Sequence, residues 1–236
     1  MLQIIGNKNW SGMKKLAVFK AVSKKQSDLP EGYTKLDYLL NTQGAYIDTG
    51  MVLDRRCKIT IAFEADERDD NRALFGWRRS GNFNQPYQFY INTNKPQEHL
   101  DRLIIIGVGA NVSFVGSKEC FELNVKNTLV VCPADGIVTL NGSNVTFNYE
   151  LAIRYAYNAS GSSEIAPALF AFNNAGTIGG ISNGMKLYRY KVEKDGELLQ
   201  DFIPCISPED IYGVYDLVSE TFIGSSNENS FTGGND

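Results

Sequence analysis

Trp77 is followed by Arg78, Arg79, Asn82, Asn84, Gln85 and Tyr87, a run that mixes flat apolar rings with guanidinium and amide groups. A sugar is held by such a mixture: its C–H face stacks on a ring while its hydroxyls exchange hydrogen bonds with polar groups at the border. Trp77, Arg79, Asn82, Asn84, Gln85 and Tyr87 are therefore the candidate carbohydrate-binding residues, expected in a loop after a strand that ends at Gly76. The same run also suits a border packed against a neighbouring subunit of a homo-oligomer, and the residues alone leave both readings open. Tyr155, Tyr157, Asn158, Asn173 and Asn174 form a sparser second set open to the same two readings.

Other chemistries find little material. His99 is the single histidine, which excludes a multi-histidine metal site, and its neighbours Pro96, Gln97, Glu98 and Asp101 suit a surface loop. Cys57, Cys120, Cys132 and Cys205 are far apart and form no C-x-x-C pair, so free buried thiols are expected rather than a zinc knuckle or redox dithiol. No phosphate-binding G-x-x-x-x-G-K-[ST] loop and no D-x-[DN]-x-[DN]-G calcium loop occurs. Neither a cofactor nor a metal-dependent or nucleophile-based enzyme is expected, although the Asn- and Asp-rich loops leave room for structural calcium.

Whatever the site, short strands must position it. From Leu29 onward, brief alternating or apolar runs are broken by Gly, Asn, Asp and Pro, with no helical period. In Lys58-Ile59-Thr60-Ile61-Ala62-Phe63 the alternation sends Ile59, Ile61 and Phe63 to one face. Further strands are expected at 45–49, 73–76, 88–91, 103–108, 121–125, 128–132, 137–140, 145–149, 169–172, 185–192, 198–203, 214–216 and 221–223. Asp135-Gly136, Asn141-Gly142 and Asp195-Gly196 are tight-turn dipeptides between such runs and predict antiparallel hairpins. The segments 158–168 and 173–184 are expected as exposed loops, and 225–236 as a polar tail. With 236 residues, 43% hydrophobic and 21% charged, one sandwich with a large core is expected.

Residues 1–28 differ in texture. Lys8, Lys14, Lys15, Lys20, Lys24 and Lys25 face Asp28 alone, whereas the whole chain carries a net charge of -4. Trp10, Lys14, Lys15, Leu16, Val18 and Phe19 read as an extended basic arm that anchors to an acidic partner surface. The acidic body would repel phosphate, so nucleic-acid readout is not expected. Lys20 cuts the one export-like apolar run short, so no signal peptide is expected. No stretch approaches the roughly 18 apolar residues of a membrane-spanning helix, and membrane insertion is not expected.

The run from Leu29 to Leu39 (LPEGYTKLDYL), followed by Gln43 to Gly50 (QGAYIDTG), resembles the opening of concanavalin A-like (LamG-type) jelly-roll domains found in phage structural and gut-bacterial surface proteins. The closing half is similar too, in Met185-Lys186-Leu187-Tyr188, Asp201-Phe202-Ile203-Pro204-Cys205, Gly213-Val214-Tyr215-Asp216 and Phe231-Thr232-Gly233-Gly234. The resemblance implies an all-β, antiparallel two-sheet jelly-roll sandwich over 29–236 and does not reach the extended arm 1–28. That superfamily also includes glucanases, whose Glu-x-Asp-x-x-Glu strand motif is echoed by Glu64, Asp66 and Asp69. Their retaining chemistry needs two carboxyl groups about 5–5.5 Å apart; here the last position is Asp, and Glu67, Arg68 and Asp70 crowd the stretch, which favours a charged strand end.

Taken together, the resemblance, the arm and the unpaired cysteines imply a non-enzymatic phage virion protein, a capsid decoration or tail component assembled in the host cytoplasm. Its arm would hold other virion proteins. The alternative is a carbohydrate-binding adhesion module for host-surface glycans, with a glycoside hydrolase third.

Overall fold

The computed structural model describes residues 29–54, 56–66, 72–78, 87–92, 102–106, 113–115, 122–132, 135, 137–144 and 165–236, with 72, 78, 87–92, 102–106 and 113–115 described through their backbone alone. Chain order gives β1 (Thr34–Lys35), β2 (Tyr38–Asn41), β3 (Ile47–Asp48), β4 (Cys57–Ala65), β5 (Arg72–Arg78), β6 (Tyr87–Asn92) and β7 (Arg102–Ile106). Next come β8 (Ser113–Val115), β9 (Asn127–Cys132), β10 (Ile137–Leu140), β11 (Ser143–Asn144), β12 (Ala168–Leu169), β13 (Phe172–Asn174) and β14 (Thr177–Gly179). The long β15 (Met185–Lys194) and β16 (Glu197–Ile206) follow, then β17 (Tyr212–Asp216), β18 (Thr221–Ile223) and β19 (Thr232–Gly234).

These strands form two sheets. The larger runs β11-β10-β9-β4-β15-β16-β17-β18, with β2 also on β15, β19 on β2 and β1 on β16; the smaller runs β14-β13-β5-β6-β7-β8, with β12 on β5 and β3 on β12. The protein is an all-β two-sheet sandwich of the jelly-roll kind, and no α-helix occurs among the described residues.

Alternation explains which face each strand buries. Ile59, Ile61 and Phe63 of β4 point inward, as expected, while Lys58 is exposed and Thr60 and Glu64 lie on the outer face. Inward side chains of both sheets meet in one core that includes Phe63, Phe75, Phe170, Tyr190, Phe202 and Phe231, all essentially inaccessible. Burial of each such side chain contributes about 1.5–3 kcal/mol, which makes this core the main source of stability. Phe75 meets Tyr190 edge-on across the sandwich at 6.2 Å between ring centroids.

A smaller apolar patch lies outside the large sheet. Leu29 and Tyr33 pack over Ile203, Cys205, Tyr215, Leu217 and Phe222, with the Tyr33 ring 5.2 Å from Tyr215 and 5.8 Å from Phe222. The segment before β1 thus covers apolar residues that alternation along β16 and β17 leaves on the outer face.

Turn chemistry behaves as the dipeptides dictate. Asn141 (φ 52°) with Gly142 (φ 80°), and Asp195 (φ 52°) with Gly196 (φ 85°), close the β10–β11 and β15–β16 hairpins in the left-handed region that tight hairpins require.

Four expectations are corrected. The segment 173–184, expected as loop, contains the end of β13 and all of β14, which form a hairpin through Ala175 (φ 50°) and Gly176 (φ 91°). The run 169–172, expected as one strand, is split between β12 and β13 by Phe170, a buried residue at φ 63°. This break lets the chain leave an antiparallel pairing with β5 and return to the same strand in parallel, Asn173 opposite Trp77. Residues 123–125 form a turn and bend rather than a strand, because Asn124 at φ 56° sends its N–H to the Ala65 carbonyl. The polar tail carries β19, whose backbone pairs with β2. The strand expected at 145–149 and the arm 1–28 lie outside the described residues.

Candidate functional site

A groove of about 450 Å³ opens where three segments end together on the outer side of the large sheet: the start of β4, the end of β9 with the turn after it, and the tip of the β15–β16 hairpin. Arg56, Lys58, Cys132, Asp135, Glu193, Asp195 and Gly196 line it. Cross-strand register explains the gathering. Lys58 lies opposite Glu193, Glu193 opposite Leu198, and Cys132 opposite Ile137, so one row crosses the sheet with charges at its centre and apolar side chains toward its ends. Ile137, at 43% exposure, is unusually open for a large apolar residue.

Polar groups of the groove are paired with one another at its surface. The Lys58 ammonium lies 3.0 Å from Glu193, Arg56 lies 3.1 Å from Asp195 and 3.6 Å from Asp54, and Lys194 lies 2.7 Å from Asp54. Arg56, Lys58 and Asp195 are each about half exposed or more. Pairs exposed to this degree contribute only about 0–1 kcal/mol to stability, so their hydrogen-bonding capacity can be turned to a ligand at little cost to the fold.

Electrostatics favour the ionised forms of Glu193 and Asp54. The hydrogen bond from Lys58 holds Glu193 below the usual carboxylate range despite some burial. Burial alone would raise Asp54, but the hydrogen bonds from Lys194 and the Arg56 backbone, with the two positive charges, outweigh it and lower its pKa. Beneath them, the Cys132 thiol donates to the Asp135 carboxylate at 3.0 Å. Burial and that acceptor push the thiol up to about 11, so it remains a neutral donor that fixes Asp135.

A second polar cluster lies at the other end of β4. Glu64 accepts from the Tyr188 hydroxyl at 2.7 Å and pairs with Lys186 at 3.1 Å. Tyr188 reaches it because a bulge between Leu187 and Arg189 inserts one extra residue into β15. The Lys186 and Lys126 ammonium groups sit 4.5 Å over the rings of Tyr38 and Tyr188 respectively. These rings are therefore capped by cations, and Glu64 and Tyr188 are mostly covered. That cluster closes on itself, whereas the groove faces outward.

The sequence-derived candidates fall elsewhere. Trp77 is not on a loop: β5 continues past Gly76 through Arg78, and the Trp77 side chain lies in the core at 4% exposure, so its ring is not an open stacking platform. Arg79, Asn82, Asn84 and Gln85 lie outside the described residues, and Tyr87 begins β6, described only through its backbone. The structure does bring parts of the two candidate sets together, since Asn173 and Asn174 pair with Trp77 and Arg78. Asn173, however, serves the fold, donating to Ala166 and accepting from the Gly176 N–H. Tyr155, Tyr157 and Asn158 lie outside the described residues, as do Trp10, Lys14, Lys15, Leu16, Val18 and Phe19 of the arm. Of the carboxylate triplet, Glu64 is held by two donors, Asp66 lies against Gly184, and Asp69 is outside the described residues.

Sequence reasoning passed over one pattern. Gly180-Ile181-Ser182-Asn183-Gly184 matches the G-x-S-x-G spacing of a nucleophile elbow. In the structure Ser182 serves the fold instead. It is buried, its hydroxyl donates to the Ala73 carbonyl at 3.0 Å, and it precedes a strand rather than a helix. The groove itself was missed because its residues come from three separate stretches of chain; Asp135-Gly136 and Asp195-Gly196 were visible only as turns.

No family model matches the chain, and no curated protein sequence matches it. Among solved structures it is similar to the CBM40 of Ruminococcus gnavus IT-sialidase bound to α2,3-sialyllactose, at 14% identity and a TM-score of 0.48 over 71% of this chain and 92% of that one. It is also similar to the same CBM40 alone, at 14% identity and a TM-score of 0.47 over 70% of this chain and 95% of that one. A likeness of this degree carries no inference about the ligand.

Proposed function

We propose that this chain is a carbohydrate-binding module, a β-sandwich that holds a glycan without cleaving it. The observation that carries this reading is the open groove in which an exposed ammonium and a partly exposed carboxylate, Lys58 and Glu193, stand 3.0 Å apart. Neighbouring hydroxyls of a sugar ring both donate and accept, and such a pair offers one acceptor and one donor side by side. The volume lies within the range of small-ligand sites, about 300–1,000 Å³. The aliphatic stems of Lys58 and Arg56 supply apolar surface for the C–H groups of the ring.

Binding rather than hydrolysis is favoured by the state of Glu64, the first residue of the echoed glucanase triplet. It is occupied by two donors of the fold, the Tyr188 hydroxyl and the Lys186 ammonium, and is mostly covered, so it presents no open carboxylate to a substrate. The groove needs no cofactor in this reading. The virion role implied by the family resemblance has no finding behind it, and the adhesion alternative takes its place.

A glycan array tests the proposal. The intact protein should bind at least one glycan class, and Lys58→Ala or Glu193→Ala should weaken that binding about tenfold or more, because each removes a charged hydrogen-bond partner. An array with no bound glycan would overturn it.

A further inference from the structure

We infer that the groove selects uncharged, hydroxyl-rich glycans and discriminates against acidic ones, an inference that rests on the carbohydrate-binding reading. The basis is charge already committed. Both cations among the described lining residues are partnered by carboxylates, Arg56 by Asp195 and Asp54, Lys58 by Glu193, and the nearby Lys194 also by Asp54. Lining charges from Arg56 and Lys58 against Asp135, Glu193 and Asp195 sum to two positive and three negative.

An incoming carboxylate, as on a sialic or uronic acid, must displace a protein carboxylate from its cation. It must then lie beside the displaced group, where like charges repel. A hydroxyl faces no such exchange. It can donate to Glu193 or Asp195 while accepting from Lys58 or Arg56, so each ion pair widens around it and no charge is left without a counterpart. Cys132 strengthens the bias, since its neutral thiol fixes the Asp135 carboxylate at the groove wall.

The selection is built from acids that can be neutralised without changing shape, and this gives the test. Affinities of the full chain for matched pairs of neutral and sialylated or uronylated oligosaccharides are measured by titration calorimetry. The same is done for Glu193→Gln combined with Asp195→Asn, with circular dichroism and melting to confirm its fold. The intact protein should bind neutral glycans at least tenfold more tightly than their acidic counterparts. The substituted protein, with Lys58 released from Glu193 and Arg56 from Asp195, should narrow that ratio at least threefold. Preference for acidic glycans, or a ratio untouched by the substitutions, would overturn this inference while leaving the carbohydrate-binding reading in place. Absence of binding to either class would overturn both. Should the double variant misfold, Glu193→Gln alone is expected to narrow the ratio in the same direction, and an unchanged ratio would overturn the inference equally.

Discussion

Asn41 shows how a single buried amide can fix a whole corner. Its Nδ2 donates to the carbonyls of Ala45 (2.8 Å) and Ser182 (2.9 Å), and its Oδ1 accepts from the Ala45 N–H (2.9 Å). Asn41→Ala strips these backbone groups of partners in a buried place, and urea denaturation should show a loss of about 2–4 kcal/mol. Phe170 makes a more unusual prediction. Phe170→Ala should cost about 3–5 kcal/mol through the lost ring, which packs 5.0 Å from Phe231. Phe170→Gly removes the same ring but relieves the left-handed backbone, so it should be at least as stable as the alanine variant, against the usual order of the two residues in strands. At the same scale, burial raises the thiols of Cys57, Cys132 and Cys205, the last to about 12. A thiol reagent at neutral pH should label these three only when the protein unfolds, as peptide mass spectrometry would show.

Strands and turns were legible where the signal is local. Asn141-Gly142 and Asp195-Gly196 need only their own conformational freedom to close hairpins, and Ile59, Ile61 and Phe63 need only their period of two. Trp77 was misplaced for the opposite reason: β5 continues past Gly76 because the next strand, β6, pairs with it through Trp77 and because β13, from a distant part of the chain, supplies a second partner. The groove was illegible on the same ground, as Arg56, Asp135 and Asp195 meet only through sheet register. Its element-level consequence is a dependence on acid. Glu193 and Asp54 have lowered pKa values in the fold, so their contribution is present above their ordinary values of 4.5 and 3.8 and is lost as the pH falls through the depressed ones. Glu193→Gln combined with Asp54→Asn should therefore flatten the fall of Tm below about pH 4.5 and lower Tm at pH 7 by a matching, small amount, since what acid removes is what these partly exposed pairs contribute at neutral pH.

At the scale of the molecule, the sandwich class was legible because many short runs agree on it, while the arm and the groove lie beyond what periodicity reports. Leu29 and Tyr33 pack against the cluster that holds Tyr215 and Phe222. Deletion of residues 1–28 should leave Tm within a few degrees, whereas deletion through Tyr33 should lower it clearly, because the outer apolar patch is uncovered. Scanning calorimetry of the two truncations decides the matter.

β19 lies against β2, Thr232 opposite Leu40 and Gly234 opposite Tyr38. One hydrogen bond of this seam, from the Asp37 N–H to Asn235, joins residues 198 positions apart. A ribosome making this chain emits β2 long before its edge partner, so in that interval the unpaired edge stays open to other nascent chains. A second copy's β19 carries the same pairing groups, so strand exchange between copies is the expected accident of this seam when translation stalls or concentration is high.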